Sequence, residues 1–204
     1  KTIQTCCVYT SRLQTLTLDA DGEPTAPPQT IETIPGGTGD YFSQVTIDTG
    51  SGNDTGIAYT FRDNVNQKTL LRVSIAPEGS AFSAPVTIAP DFVLTPAISM
   101  TSTGSAVASW NYEVSGPFEY GMKARTVASD GSPGTEKVIV PQAPEVTDVP
   151  GSVIDGNDKV TFIFDRAVTN PGVFMRQMDS SGNVLGTDPV RISDPTSSGA
   201  ATDP

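Results

Sequence analysis

The stretch Ile57-Ala-Tyr-Thr-Phe-Arg-Asp-Asn-Val-Asn-Gln-Lys-Thr-Leu-Leu-Arg-Val-Ser-Ile-Ala76 runs 20 residues without glycine or proline. Nothing in its composition would interrupt a long helix here. Its middle, Arg62-Asp63-Asn64-Val65-Asn66-Gln67, reads instead as a polar turn between two runs rich in β-branched and aromatic residues. The stretch therefore predicts two strands. The rest of the chain, with 19 Gly and 17 Pro in 204 residues, suits helix even less. The predicted class is all-β.

Working outward, the same layout recurs. A β-rich run, a loop, a second β-rich run and a small polar turn come before a shorter strand. The turn glycines are Gly22, Gly79, Gly131 and Gly182, spaced 57, 52 and 51 residues apart. Four residues before each stands an apolar residue: Leu18, Ile75, Val127 and Met178. After each comes a short strand, marked by Gln29/Ile31, Val86/Ile88, Val138/Val140 and Val190/Ile192, with Pro90, Pro141 and Pro195 expected to close it. Upstream lies an aromatic strand carrying Tyr59 and Phe61, Trp110 and Tyr112, or Phe162 and Phe164; the first copy has only Val8-Tyr9. Three copies carry a further strand before that one, at Phe42 to Ile47, Pro96 to Met100 and Gly151 to Ile154.

Four strands in about fifty residues is the arithmetic of a propeller blade. The expected architecture is a run of consecutive four-stranded antiparallel blades of a β-propeller. Two tandem immunoglobulin-like β-sandwiches are the alternative, but these need about seven strands per hundred residues. The repeat domain covers 1–193, in units near 1–36, 37–92, 93–144 and 145–193, and 194–204 has the composition of a flexible tail or linker.

The third unit reads Gly104-Ser-Ala-Val-Ala-Ser-Trp110, then Tyr120-Gly-Met-Lys-Ala-Arg125-Thr-Val-Ala-Ser-Asp-Gly131, then Glu136-Lys-Val-Ile-Val-Pro141. This resembles the blade repeats of secreted bacterial β-propeller proteins. Phe164, Arg176 and Ser181-Gly182 are the matching positions of the fourth unit; the second keeps Phe61 and Gly79, with Arg72 one place out of register. The resemblance implies the fold and a setting outside the cytoplasm, secreted or at the cell surface. It implies no catalytic residues.

Closing a ring usually takes a strand from one terminus to complete the blade made by the other. Residues 194–204 hold two prolines, a glycine and no large apolar side chain, and Lys1 to Thr5 offers only Ile3. Further blades or another chain are therefore expected to close the ring. Removing 195–204 should leave the melting temperature unchanged. Cys6 and Cys7 are adjacent, so in a strand one points inward and the other outward. A bond between them needs a strained turn, and a bond to another chain is the remaining option.

A net charge of −11 argues against nucleic acid and anionic lipid as partners. No apolar run is long enough to cross a bilayer, so membrane insertion is not expected. The expected partner is a protein or glycan at an extracellular surface.

Catalysis has little to work with. There is no histidine, and no spacing singles out a carboxylate pair among the 23 acids. The chain is therefore expected not to be an enzyme, but a non-catalytic recognition or scaffold protein. A carbohydrate-binding lectin and a glycan hydrolase using a carboxylate pair are the rival readings. No cofactor is expected except calcium, for which Asp48, Asn53 and Asp54 in one loop and Asp155, Asn157 and Asp158 in its counterpart are the candidates. The plain reading of the same residues is a turn capped by its own side chains. Asp19-Ala-Asp21-Gly22 is a further case of that kind. Asp54-Thr-Gly56-Ile-Ala-Tyr59 resembles the Asp-box of sialidase-like propellers, but lacks the leading Ser and occurs once; it is read as chance. Trp110 is the candidate for stacking on a sugar, although its place on an alternating strand makes blade core the default. Arg125 and Arg176 are expected to form ion pairs with acids such as Asp130 or Asp179.

Overall fold

The computed structural model of the chain describes residues 10–90, 93–113, 120–143, 151–166 and 171–193. Cys6, Cys7, the Val8-Tyr9 pair and the 194–204 segment lie outside the described residues. Among the described residues every element is a strand. β1 (Ser11–Thr15) and β2 (Gln29–Ile34) form a two-stranded sheet in the first unit. Three four-stranded sheets follow. They contain β3 (Tyr41–Thr49), β4 (Thr55–Asp63), β5 (Lys68–Ala76) and β6 (Val86–Ala89); β7 (Val93–Met100), β8 (Ala106–Glu113), β9 (Tyr120–Val127) and β10 (Lys137–Ala143); and β11 (Gly151–Ile154), β12 (Val160–Arg166), β13 (Gly172–Met178) and β14 (Val184–Arg191).

In each sheet the strands pair antiparallel in strict chain order. That meander is the order of a propeller blade. A sandwich would exchange strands between sheets through Greek-key connections, so the immunoglobulin-like alternative is excluded. The long stretch free of glycine and proline is β4 and β5, in register from Thr55↔Ala76 to Asp63↔Lys68.

One turn geometry serves most of the hairpins. Between the first two strands of each sheet lie five residues, 50–54, 101–105 and 155–159. In each loop the first residue donates its N–H to the carbonyl of the fifth, and the fourth donates back to the first. The fourth position is left-handed: Asn53 at φ 62°, Gly104 at 76° and Asp158 at 57°. Only Gly, Asn and Asp take that conformation readily. The turns at Gly22, Gly131 and Gly182 repeat the pattern, which is why glycine recurs there.

The sheets stack face to face. Ile57 and Tyr59 on β4 meet Ile31 of the first unit. The next residues along, with Leu71, Val73 and Ile75 of β5, meet Ala106, Ala108 and Trp110 of the third unit. Val107, Met122 and Ala124 on that sheet's far side meet Val160, Phe162, Phe164 and Phe174 of the fourth. The central strands β4 and β8 are thus covered on both faces and are buried continuously, not in alternation, with Thr60, Ser109 and Asn111 as buried polar members. Gly56 lets the inner strand of the next unit close in: a Cβ there would lie 2.4 Å from Met100 Sδ.

Three details differ from the sequence reading. Pro141 does not end a strand but lies within β10, the outer strand, where the register is irregular between Val140 and Ala143. An edge strand tolerates the missing N–H. Second, Ala76, Val127 and Met178 share one row, each opposite the first residue of the strand before it. By that register Arg72 is two residues, not one, from the row of Arg125 and Arg176. Third, Trp110 aligns with Tyr59 and Phe164, whereas Phe61 aligns with Tyr112.

Candidate functional site

The acids of the loops that join the first two strands of each blade do structural work. Asp48 Oδ2 accepts from Met100 N at 2.7 Å, tying the second unit to the third. Asp158 Oδ1 accepts from Ser102 N at 2.6 Å and its Oδ2 from Ser102 Oγ at 2.7 Å, tying the fourth unit to the third. Asp54 Oδ1 accepts from Glu78 N at 3.0 Å, and Asn53 Nδ2 donates to Glu78 Oε1 at 2.8 Å. Asp155 Oδ1 caps its own turn, accepting from Asn157 N at 2.9 Å and Lys159 N at 3.0 Å. Those bonds, the one from Lys159 first, hold the Asp155 carboxyl below its ordinary value.

Of the six calcium candidates, Asp54 and Asp158 thus flank the third unit's loop from either side, and Asp48 holds Met100 just before it. Asp54 sits so close to Gly104 that a Cβ there would lie 2.8 Å from its Oδ2, and Asp158 sits on Ser102. Among the described residues no three His, Cys, Asp or Glu side chains are grouped to hold a metal ion.

Trp110 is 2% exposed and belongs to the core between the second and third units, so its ring is closed to a sugar. Arg125 and Arg176 do not use Asp130 or Asp179. Arg125 Nη2 lies 3.4 Å from Glu136 Oε2, and Arg176 donates to the carbonyls of Ile139 at 2.7 Å and Thr187 at 3.0 Å. Asp130 and Asp179 are engaged by the N–H groups of their own turns, from Ser132 and from Ser181 and Asn183. A local backbone donor needs no long side chain to be ordered, so it outcompetes a distant cation.

One constellation escaped the sequence reading. Tyr59 Oη donates to Glu32 Oε2 at 2.5 Å, and Arg72 Nη1 donates to Glu32 Oε1. The guanidinium carbon of Arg72 lies 4.1 Å from the centre of the Phe61 ring. Burial pushes the Tyr59 hydroxyl well above its ordinary value and pulls the Arg72 guanidinium below its own. A phenol on a carboxylate beside a cation is chemically capable of proton transfer. Here the tyrosine is fully buried, so the group acts as a polar lock between the first and second units.

Among the described residues, two open grooves stand out. One, of about 440 Å³, runs along the inner strands, past Ile47, Asp48, Ile98, Ser99, Ser152 and Val153. The other, of about 490 Å³, lies between the third and fourth units and is lined by Thr101, Thr103, Ser105, Thr126, Ser132, Ser180 and Ser181, with Asp158 at its wall. No local motif marks this second groove, because its residues come from separate turns of two blades.

No protein-family model and no curated protein sequence matches the chain. Solved structures do. A Hadza microbial sialidase matches with a TM-score of 0.51 at 12% identity, over 70% of this chain and 36% of the sialidase chain. A calcium-binding protein, regucalcin, from Agrobacterium tumefaciens matches with a TM-score of 0.37 at 14% identity, over 72% of this chain and 45% of that one. This chain therefore spans under half the length of either. The likeness to the sialidase and the four-stranded sheets paired in chain order show that the chain is a run of consecutive β-propeller blades.

The comparison corrects the expectation that the chain is not an enzyme. The fold it shares is one that a sialidase uses, so the blades do not exclude catalysis.

Proposed function

We propose that the chain is a recognition or scaffold module of a cell surface or secreted assembly, and that the groove between the third and fourth units takes a glycan. The observation that carries this reading is the lining of that groove: seven hydroxyl side chains, six of them on the turns between paired strands and one, Thr126, on a strand. Hydroxyls donate and accept at once, which suits a neutral polyhydroxyl ligand. Nucleic acid is disfavoured by the net charge of −11. The setting outside the cytoplasm rests on the likeness of the third unit to blades of secreted bacterial proteins.

A glycan array probed with the native chain and with Ser181→Arg tests this. Ser181 is exposed in its turn, so the variant fills the groove without entering the core. Binding to a set of neutral glycans, reduced at least about tenfold in the variant, is the expected result, since a filled pocket costs well over 1.4 kcal/mol. No binding, or binding indifferent to the substitution, overturns the reading.

A further inference from the structure

The interfaces between successive units follow one rule. The side of a sheet that faces the following unit carries Ala58, Leu71 and Val73 in the second unit, and Ser109, Met122 and Ala124 at the equivalent positions of the third. All six are buried, at 1% exposure or less. The equivalent positions of the fourth unit are Ile163, Val173 and Met175, all half-exposed. Around them on the same side stand Val153 at 61% exposure, Val190 at 55%, Ile192 at 49% and Leu185 at 39%. In the fourth unit the side that buries a neighbour elsewhere is open, with Thr161, Asp165 and Gln177 standing among its apolar residues.

The complementary side is open at the other end. Val127 and Met178 are each fully buried against the preceding unit. Leu18 holds the same position in the first unit, as its bridge to Pro24 and the bridge of Val127 to Pro133 show. Leu18 is 52% exposed and its neighbour Leu16 45%. Among the described residues the chain thus carries both halves of a blade-to-blade interface, and neither half meets its counterpart.

We propose that the free side of the fourth unit docks the first unit of a second copy of this chain, head to tail. The pairing continues the interface already made three times within the chain. Head-to-tail contacts either close into a ring or propagate. Two copies of four units make eight, within the span of about four to eight blades that propellers adopt. The assembly is a closed pair.

Light scattering on the purified chain tests this, together with the variants Val190→Asp and Leu18→Asp. Both positions are exposed, so each variant keeps its fold, which circular dichroism checks. The native chain should have about twice the mass of 21.3 kDa. Each variant alone should be monomeric, with at least a tenfold weaker association. Mixing the two restores one intact contact, and a one-to-one pair should reappear at higher concentration. A native chain that stays monomeric over all concentrations overturns the proposal. So does a pair that either variant leaves intact, or a mixture that remains monomeric while both variants are folded.

Discussion

The carboxylate of Asp158 in the fourth unit grips Ser102 of the third at two points, its backbone N–H at 2.6 Å and its hydroxyl at 2.7 Å. The same aspartate holds the left-handed position of its own turn, at φ 57°. One side chain therefore shapes a hairpin and joins two blades.

Those two roles separate by substitution. Asp158→Gly keeps the left-handed turn and loses only the grip, at about 1–2 kcal/mol for charge-assisted bonds at a half-exposed site. Asp158→Ala loses the grip and strains the turn, adding about 1 kcal/mol. Urea midpoints should rank native, then glycine, then alanine. The reverse order of the two variants would mean the turn does not depend on this residue.

The lock formed by Tyr59, Glu32 and Arg72 ties the stability of the first interface to alkaline pH. Burial raises the Tyr59 hydroxyl far above 10.0, its ordinary value. Above about pH 10 the unfolded chain gives up this proton while the folded chain keeps it, so stability is lost as pH rises. Thermal melts between pH 9 and 11 should show a decline that Tyr59→Phe makes shallower. An unchanged decline in the variant contradicts the assignment.

Arg72→Ala removes the cation from Glu32 and the contact with Phe61. It should cost about 2–4 kcal/mol, more than the ~1 kcal/mol expected for Tyr59→Phe, because it leaves a half-buried carboxylate without its counter-charge. Denaturant titration of both variants checks the order.

Asp155 and Asp179 titrate below the ordinary carboxyl value of 3.8, chiefly through backbone bonds from Lys159 and Asn183 respectively. Their contribution is present above that value and disappears as pH falls through the lowered one. The chain should lose stability below about pH 4, and less steeply in Asp179→Asn. Urea midpoints at pH 7 and pH 3 give the comparison.

Trp110 is the single tryptophan and is buried. Its emission should be blue-shifted in the folded chain and unmoved by any glycan that binds. Trp110→Ala should cost about 3–5 kcal/mol by opening the core between the second and third units. Emission that shifts when a sugar is added would place the ring at a binding surface after all.

Local chemistry was legible without coordinates. The glycines at 22, 131 and 182 mark turns because their backbone must be left-handed, and that demand is met within five residues. The two strands flanking Arg62 to Gln67 follow from side-chain type and a polar turn, again a short-range matter. Neither the plain turn-capping role of Asp155 nor the core position of Trp110 needs a partner far along the chain to be read.

What only the tertiary structure decided are the pairings made when blades stack. Glu32 meets Arg72 across 40 residues, and Asp158 meets Ser102 across 56. The row of Ala76, Val127 and Met178 falls three residues before Gly79 but four before Gly131 and Gly182, and the connection after β4 is shorter than that after β8, so the glycine spacing does not fix which residues align. Trp110 therefore aligns with Tyr59 and not with Phe61. The sequence determined the strands and turns because the backbone forces that make them act between near neighbours. It left open which faces meet and what the open faces bind, because these depend on the mutual placement of whole sheets, and a side chain's partners there are set by packing and not by its neighbours in sequence.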